Sequence, residues 1–95
     1  MKSVDDLTEG DYIAFGFNYN GPIPNEIIVS DVMDIKGDDV LVCFLYGYHS
    51  LAEVIKKENI LAIRNNETGE GKIKGWSGKY DILHPRKIKQ ILTGR

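Results

Sequence analysis

The chain has 95 residues, of which 42% are hydrophobic and 27% are charged. This length can bury one small hydrophobic core, and the composition excludes a wholly disordered or a fibrous chain. The longest apolar run, residues 40–46, is far shorter than the roughly 18 residues that cross a bilayer, and the first residues lack the basic-then-apolar order of a signal peptide. We therefore expect one intracellular domain over residues 1–95, located in the cytoplasm or, in a eukaryote, the nucleus.

The net charge of −2 conceals two halves of opposite sign. Residues 1–50 carry nine acidic and two basic side chains, whereas residues 51–95 carry ten basic and five acidic ones. Such a split can steer a charged partner to one face, and it can equally place two solvated faces of the fold side by side. The charge pattern therefore bears on association and identifies no partner.

The first quarter of the chain predicts a helical turn, a strand and a loop. Residues 3–6 have the spacing of a capping motif with no long periodic run behind them, which predicts one short turn of helix. Over residues 11–17, large apolar side chains alternate with smaller or polar ones, the period of a half-buried strand. Residues 18–25 are rich in Asn, Gly and Pro and predict a loop. The predicted inward-facing strand residues are Ile13, Phe15 and Phe17.

Four more short strands follow, separated by turns. They are predicted at residues 26–35, 40–46, 51–55 and 60–63. The strand at residues 40–46 is apolar on both faces, whereas a strand with one face in water should alternate. Its second face, formed by Leu41, Cys43 and Leu45, therefore needs a cover from elsewhere in the chain or from a partner.

The last quarter predicts a β-hairpin and a helix. Residues 72–83 form two apolar-rich segments around Ser77–Gly78, which we interpret as the hairpin turn. Pro85 suits the first turn of a helix, and apolar residues recur behind it at i, i+3 and i+4. These apolar residues are Ile88, Ile91 and Leu92. We expect their face to cover the second face of the third strand.

The spacing of strands and turns resembles that of a Tudor-like domain of the Src-homology-3-like class. The segments that carry the resemblance are TEGDYIAF at residues 8–15, VMDI at 32–35, VLVCF at 40–44 and IKKENI at 55–60. It covers roughly residues 8–64. It implies a mostly β fold, a small five-stranded barrel, to which residues 72–95 add a β-hairpin and a short α-helix.

In Tudor domains an aromatic cage binds methylated lysine or arginine through cation–π attraction. The resemblance implies Phe17 and Tyr19 on one side of such a cage and Tyr46 and Tyr48 on the other. With Tyr12, these rings form our candidate site for a protein or peptide partner, and a non-catalytic protein-binding module is the favoured hypothesis. The alternative is that the rings pack in the core or at its rim, which is favoured for Phe17.

Two other functions remain open. The basic C-terminal segment combines cations that neutralise phosphates with rings that stack on bases, as in RNA-binding or single-stranded DNA-binding proteins. The residues of this alternative surface are Lys72, Lys74, Trp76, Lys79, Tyr80, Arg86, Lys87 and Lys89. The third hypothesis is a stand-alone inhibitor of the virus-encoded type, whose acidic N-terminal half blocks a nucleic-acid-processing enzyme.

The residue types needed for catalysis or metal binding are scarce. Cys43, His49 and His84 are too few and unsuitably spaced for a structural zinc site. Ser50 beside His49 has no orienting acid, and the glycines of residues 69–79 lack the spacing of a phosphate-binding loop. We therefore predict no enzymatic activity, cofactor, metal or membrane association.

Overall fold

The computed structural model describes residues 1–94 and has one seven-stranded antiparallel sheet with a C-terminal helix. The strands are β1 (Tyr12–Phe17), β2 (Glu26–Lys36), β3 (Asp39–Tyr46), β4 (His49–Lys56), β5 (Ile60–Arg64), β6 (Gly71–Ile73) and β7 (Trp76–Ile82). Their order across the sheet is β4-β3-β2-β1-β5-β7-β6. The helix α1 spans Pro85–Thr93, and 3-10 turns span Val4–Asp6 and Lys57–Asn59.

The long strand β2 bends the sheet. Its first part, from Glu26 to Asp31, pairs with β1, and its second part, from Val32 to Lys36, pairs with β3. At the start of the second part a bulge near Met33 shifts the register, and bulges increase the local bend and twist of a strand. One strand thus carries the chain from the β1 side of the sheet to the β3–β4 hairpin.

The mostly β fold is confirmed, but the sheet is not the expected five-stranded barrel. The predicted C-terminal hairpin is present as β6 and β7, and β7 pairs with β5, so the hairpin lengthens the same sheet. The strand order leaves β4 and β6 at two edges that are not paired with each other in residues 1–94. The fold is therefore an open sheet of seven strands.

The hairpin turn lies earlier than the sequence predicted. It is formed by Lys74–Gly75, whereas Ser77–Gly78 lies inside β7. Gly75 has a φ of 88° and Gly78 a φ of 99°, so both positions use a backbone conformation that favours glycine. Each glycine could form a hairpin turn, so the sequence pattern did not distinguish them. The prediction of a turn at Ser77–Gly78 was wrong.

Two groups of buried side chains lie on opposite sides of the sheet. The inner core comprises Leu7, Ile13, Phe15, Phe17, Ile28, Val32, Val40, Val42, Phe44, Ile60 and Ile63. The helix-side core comprises Ala14, Ile27, Val29, Leu61, Ala62, Ile73, Tyr80 and Ile88. The predicted inward face of β1 is confirmed. The alternation of β1 continues into the helix-side core through Ala14, so this strand is buried on both faces.

The helix does not cover β3, contrary to expectation. It packs on β2 and β5, and Ile88 joins the helix-side core. The reason is the path of the chain after β7, because the backbone N–H groups of Leu83 and His84 both donate to the carbonyl of Leu61 on β5. This attachment starts the helix beside β5. Leu45 on the second face of β3 consequently stays 78% exposed.

Candidate functional site

Three rings stack at the end of the sheet where β1 finishes and the β3–β4 hairpin turns. Tyr19, in the loop after β1, lies nearly parallel to Tyr46 with ring centroids 5.4 Å apart. Tyr19 also stacks on His49, at 5.9 Å between centroids. Tyr46 and His49 are directly paired across the hairpin, so the strand register holds two of the three rings together. We call Phe17, Tyr19, Tyr46 and His49 the aromatic cluster.

The base of the aromatic cluster is fixed in the inner core. Phe17 is buried and contacts Tyr46 and Phe44 edge to face, with centroid distances of 5.3 Å in each case. The hydroxyl of Tyr46 donates to the carboxylate of Glu26, the first residue of β2. This hydrogen bond, together with desolvation and the nearby negative charge, raises the pKa of Tyr46. The ring of Tyr46 is therefore fixed in position and its hydroxyl keeps its proton. The half-exposed Tyr19 stacks on this ring.

Tyr48 and Leu45 are two further exposed apolar side chains near the tip of the β3–β4 hairpin, where Leu45 points to the opposite face of β3 from Tyr46. Tyr48 lies in the β3–β4 turn and is fully exposed, and Leu45 lies just before that turn. Large apolar side chains that are exposed together are typical of contact surfaces, whereas scattered ones are ordinary. The structure therefore brings Phe17, Tyr19 and Tyr46 into contact and leaves Tyr48 on the same hairpin, free of neighbouring rings in the described part of the chain.

Tyr12 is separate from this group. It lies at the opposite end of β1, and the guanidinium of Arg64 sits 4.4 Å from its ring centroid. Arg64 lies also within 5.8 Å of the centroid of Tyr80. Such cation–π contacts stabilise the fold locally. The sequence grouped Tyr12 with the other rings by residue type, and the structure places it at a different site.

The implied methyl-mark cage is not formed by these rings. Tyr19 and Tyr46 are inclined by only 13° at a centroid distance of 5.4 Å, which leaves no room for a methylammonium group between them. Phe17, expected as a cage wall, is buried in the inner core. The rings therefore offer an outer apolar face rather than an enclosed cation site.

The candidate nucleic-acid residues do not share one surface. Tyr80 is completely buried and its hydroxyl donates to the carbonyl of Ser77, so it offers no face to a base. Trp76 is partly exposed, and its indole N–H donates to the carbonyl of Ile27 at 3.2 Å. Because neighbouring strand residues point to opposite faces, Lys79 points away from the side that Tyr80 faces. The remaining residues are exposed: Lys72, Lys74, Arg86, Lys87 and Lys89. The last three lie on α1, on the side of the sheet opposite Lys79.

The sequence did not reveal a cleft of about 860 Å³. It lies between the loop at residues 18–25, the end of β4 and one side of α1. Gly16 forms part of its floor, where an added Cβ would lie 2.7 Å from the Cβ of Pro24 and 3.0 Å from the Cδ1 of Ile91. The three walls come from distant parts of the chain, so no local sequence motif predicts this cleft.

Within residues 1–94 no three His, Cys, Asp or Glu side chains are grouped as metal ligands. No helix in that range is long and apolar enough to span a membrane. Cys43 is a free, half-buried thiol on the outer face of β3.

Comparison with models of known protein families, with curated proteins and with solved structures gave no significant match.

Proposed function

We propose that this protein is a non-catalytic protein-binding module that contacts its partner through the aromatic cluster and the tip of the β3–β4 hairpin. The observation that carries the proposal is the fully exposed Tyr48 in the hairpin turn, close in the chain to Tyr46, a ring that the core holds in place. Tyrosines are enriched at protein interfaces because they combine a large apolar ring with a hydroxyl that tolerates water.

The fixed position of Tyr46 at the base of the aromatic cluster is a second feature that favours binding. Tyr46 is held by Phe17 on one side and by Glu26 at its hydroxyl, and Tyr19 stacks on it. Side chains that are ordered before association lose less conformational entropy when a partner arrives. A partner that covers Tyr48 and Tyr19 would thus meet a surface of which one part is already ordered.

We also propose that residues 8–64 are related to the Src-homology-3-like and Tudor-like domains. The support is the arrangement of the first five strands, in the order β4-β3-β2-β1-β5, with a 3-10 turn at Lys57–Asn59 between β4 and β5. On this proposal β6, β7 and α1 are an extension of the same intracellular domain. A fold of this kind hosts many functions. The binding proposal therefore depends on the aromatic cluster and the hairpin tip, and not on the fold.

The nucleic-acid hypothesis has weaker support, because Tyr80 is buried and the basic residues are divided between two sides of the sheet. The inhibitor hypothesis is also a protein-binding function, but it assigns the contact to acidic residues. Of these, Asp11 and Asp39 are paired with Lys2 and Lys56. An aromatic contact and an acidic contact respond differently to salt, because exposed charges are screened.

The test is a comparison of variants in capture experiments with extract of the source organism, with and without nuclease treatment, followed by titration of the captured protein. Tyr48→Ala combined with Tyr19→Ala should weaken binding by at least about thirtyfold, the effect of losing a hot-spot aromatic contact of about 2 kcal/mol. Tyr12→Ala at the other end of β1 is the matched control and should bind as the original chain does. Tyr46→Ala is avoided because it would also remove the contact with Phe17 and the bond to Glu26.

Equal binding by the double variant and the original chain would refute the proposed surface. Recovery of nucleic acid alone, or strongly salt-sensitive binding that survives both tyrosine replacements, would favour one of the two alternative functions.

A further inference from the structure

The cleft borders an unpaired strand edge. β4 pairs with β3 along its whole length, from Tyr46–His49 to Asp39–Lys56. Its other edge pairs with no strand in the described chain. Val54, Ile55 and Lys56 all line the cleft. Because consecutive strand residues point to opposite faces, a cleft that touches all three must run along the edge of the strand.

The floor and walls of the cleft are apolar. Gly16 allows Pro24 and Ile91 to approach it closely, and Phe15 and Leu61 lie beside them. Ile23 forms a wall and is 77% exposed, so its side chain is accessible from the cleft. The cleft can therefore bury an apolar side chain.

Among residues 1–94, the charged side chains that line the cleft all have one sign. They are Lys56 and Lys87, with no carboxylate from this range, although the chain as a whole carries a net charge of −2. Lys56 is paired with Asp39, whereas neither of the two ion pairs in residues 1–94 involves Lys87. Lys87 is thus the cation available to a ligand, and four side-chain amides complete the polar rim: Asn18, Asn25, Asn59 and Gln90.

We propose that this cleft binds an extended acidic segment of a partner protein. The segment adds a short strand to the free edge of β4, packs an apolar side chain against Ile23, Pro24 and Ile91, and places a carboxylate at Lys87. A peptide is favoured over a compact ligand because a free strand edge offers main-chain donors and acceptors, the basis of recognition by strand addition. This inference rests on the proposed protein-binding function and specifies the chemistry of what is bound.

The test uses the full chain, immobilised, and a random library of short linear peptides. The enriched peptides should combine at least one Asp or Glu with an aliphatic or aromatic residue. For a synthetic peptide of the enriched sequence, Lys87→Glu should weaken binding about tenfold or more because it replaces attraction with repulsion. Lys89→Glu is the matched control: it lies on the same helix, is exposed and does not line the cleft, so the affinity should change by less than about threefold.

Two further measurements isolate the strand edge and the charge. N-methylation of alternate backbone nitrogens of the peptide should abolish binding, because it removes the donors of strand pairing. A peptide in which Lys replaces the acidic residue should bind Lys87→Glu better than the original chain.

Three results would overturn the inference. The first is a library that enriches no acidic, apolar sequence. The second is an enriched peptide that is insensitive to Lys87→Glu but lost with Tyr48→Ala, which would leave the proposed function standing and the cleft without a role. The third is concentration-dependent dimerisation that Lys87→Glu removes, which would make a second copy of the chain the occupant.

Discussion

The outer surface of the sheet has a covered half and a bare half. Over β1, β2 and β5, residues such as Ala14, Val29 and Leu61 are buried by α1 and by neighbouring side chains. Over β3 and β4, the paired residues Leu41 and Val54 lie on a surface without any helix, and Leu45 is mostly exposed. Both halves are rich in apolar residues, so composition does not determine which is covered. The difference arises from where the chain leaves β7 and attaches the helix.

Removal of the helix should have the largest effect, because it converts the covered half into a bare one. A chain that ends at Leu83 lacks Ile88 and Ile91, and it exposes the helix-side core. We expect a loss of more than about 3 kcal/mol in the free energy of unfolding, given that one buried Ile→Ala change costs about 2–5 kcal/mol. Urea denaturation and binding of a hydrophobic dye would measure it.

Point variants in the helix refine this experiment if the shortened chain fails to fold. Ile88→Ala should lower the free energy of unfolding by about 2–5 kcal/mol, whereas Leu92→Ala, at a half-exposed position, should cost less than about 1 kcal/mol. Equal effects of the two variants, or an unchanged melting temperature for the shortened chain, would show that the helix does not cover a core.

Phe44→Ala tests the inner side of the bare half. Phe44 contacts the rings of Phe15 and Phe17 at centroid distances of 5.6 and 5.3 Å, and it is buried in the inner core. Its replacement should cost about 3–5 kcal/mol because the protein would lose buried apolar surface and gain a cavity. The midpoint and slope of urea denaturation give the value, and an unchanged midpoint would exclude Phe44 from the core.

Local patterns in the sequence predicted the strands and their inward faces correctly. They did not predict which elements of the fold contact one another. The alternation in β1 placed Phe15 on the inward face correctly, since the period of a strand fixes which residues share a side. The position of α1 was wrong because it depends on the bonds of Leu83 and His84 to Leu61, which no local period encodes.

The candidate site was predicted in the same uneven way. Tyr19 and Tyr46 were found as aromatic residues at loop and strand ends, but the stacking partner His49 was not, because its place depends on the hairpin register. Tyr80 was assigned to a surface by its basic neighbours, whereas the period of β7 points it into the helix-side core. The cleft at Gly16 required three separate segments to meet and left no signal in any one of them.

A polar connection on β7 should make the stability of the fold depend on pH in the acidic range. Asp81 on β7 accepts hydrogen bonds from the backbone N–H of Lys2 at 2.8 Å and from the amide of Asn65 at 2.9 Å. Both hydrogen bonds lower the pKa of Asp81 in the folded chain below the ordinary value of 3.8, and the bond from Lys2 contributes most. The folded state therefore binds this proton less readily than the unfolded state does.

The consequence for stability follows from that difference. The stabilisation from Asp81 is fully present above about pH 4 and is lost as the pH falls through the lowered pKa. Asp81→Asn should be less stable than the original chain at pH 6, and the two stabilities should converge as the pH falls toward 2. Urea denaturation over this pH range measures the convergence, with Asp38→Asn, in the exposed β2–β3 turn, as the charge-matched control. A constant difference between the two chains would contradict the assignment.

The smallest effect on stability is expected at Leu45, on the outer side of the bare half. Leu45 and Phe44 are neighbours in β3 that point to opposite faces, and Leu45 is 78% exposed where Phe44 is buried. Leu45→Ser should therefore change the free energy of unfolding by no more than about 0.5 kcal/mol, the range of ordinary surface substitutions. The same change should weaken partner binding if the hairpin tip is the contact surface, because it removes apolar area near that tip. Urea denaturation and titration of the partner separate the two quantities, and a loss of stability near that of Phe44→Ala would mean that the outer face of β3 is covered after all.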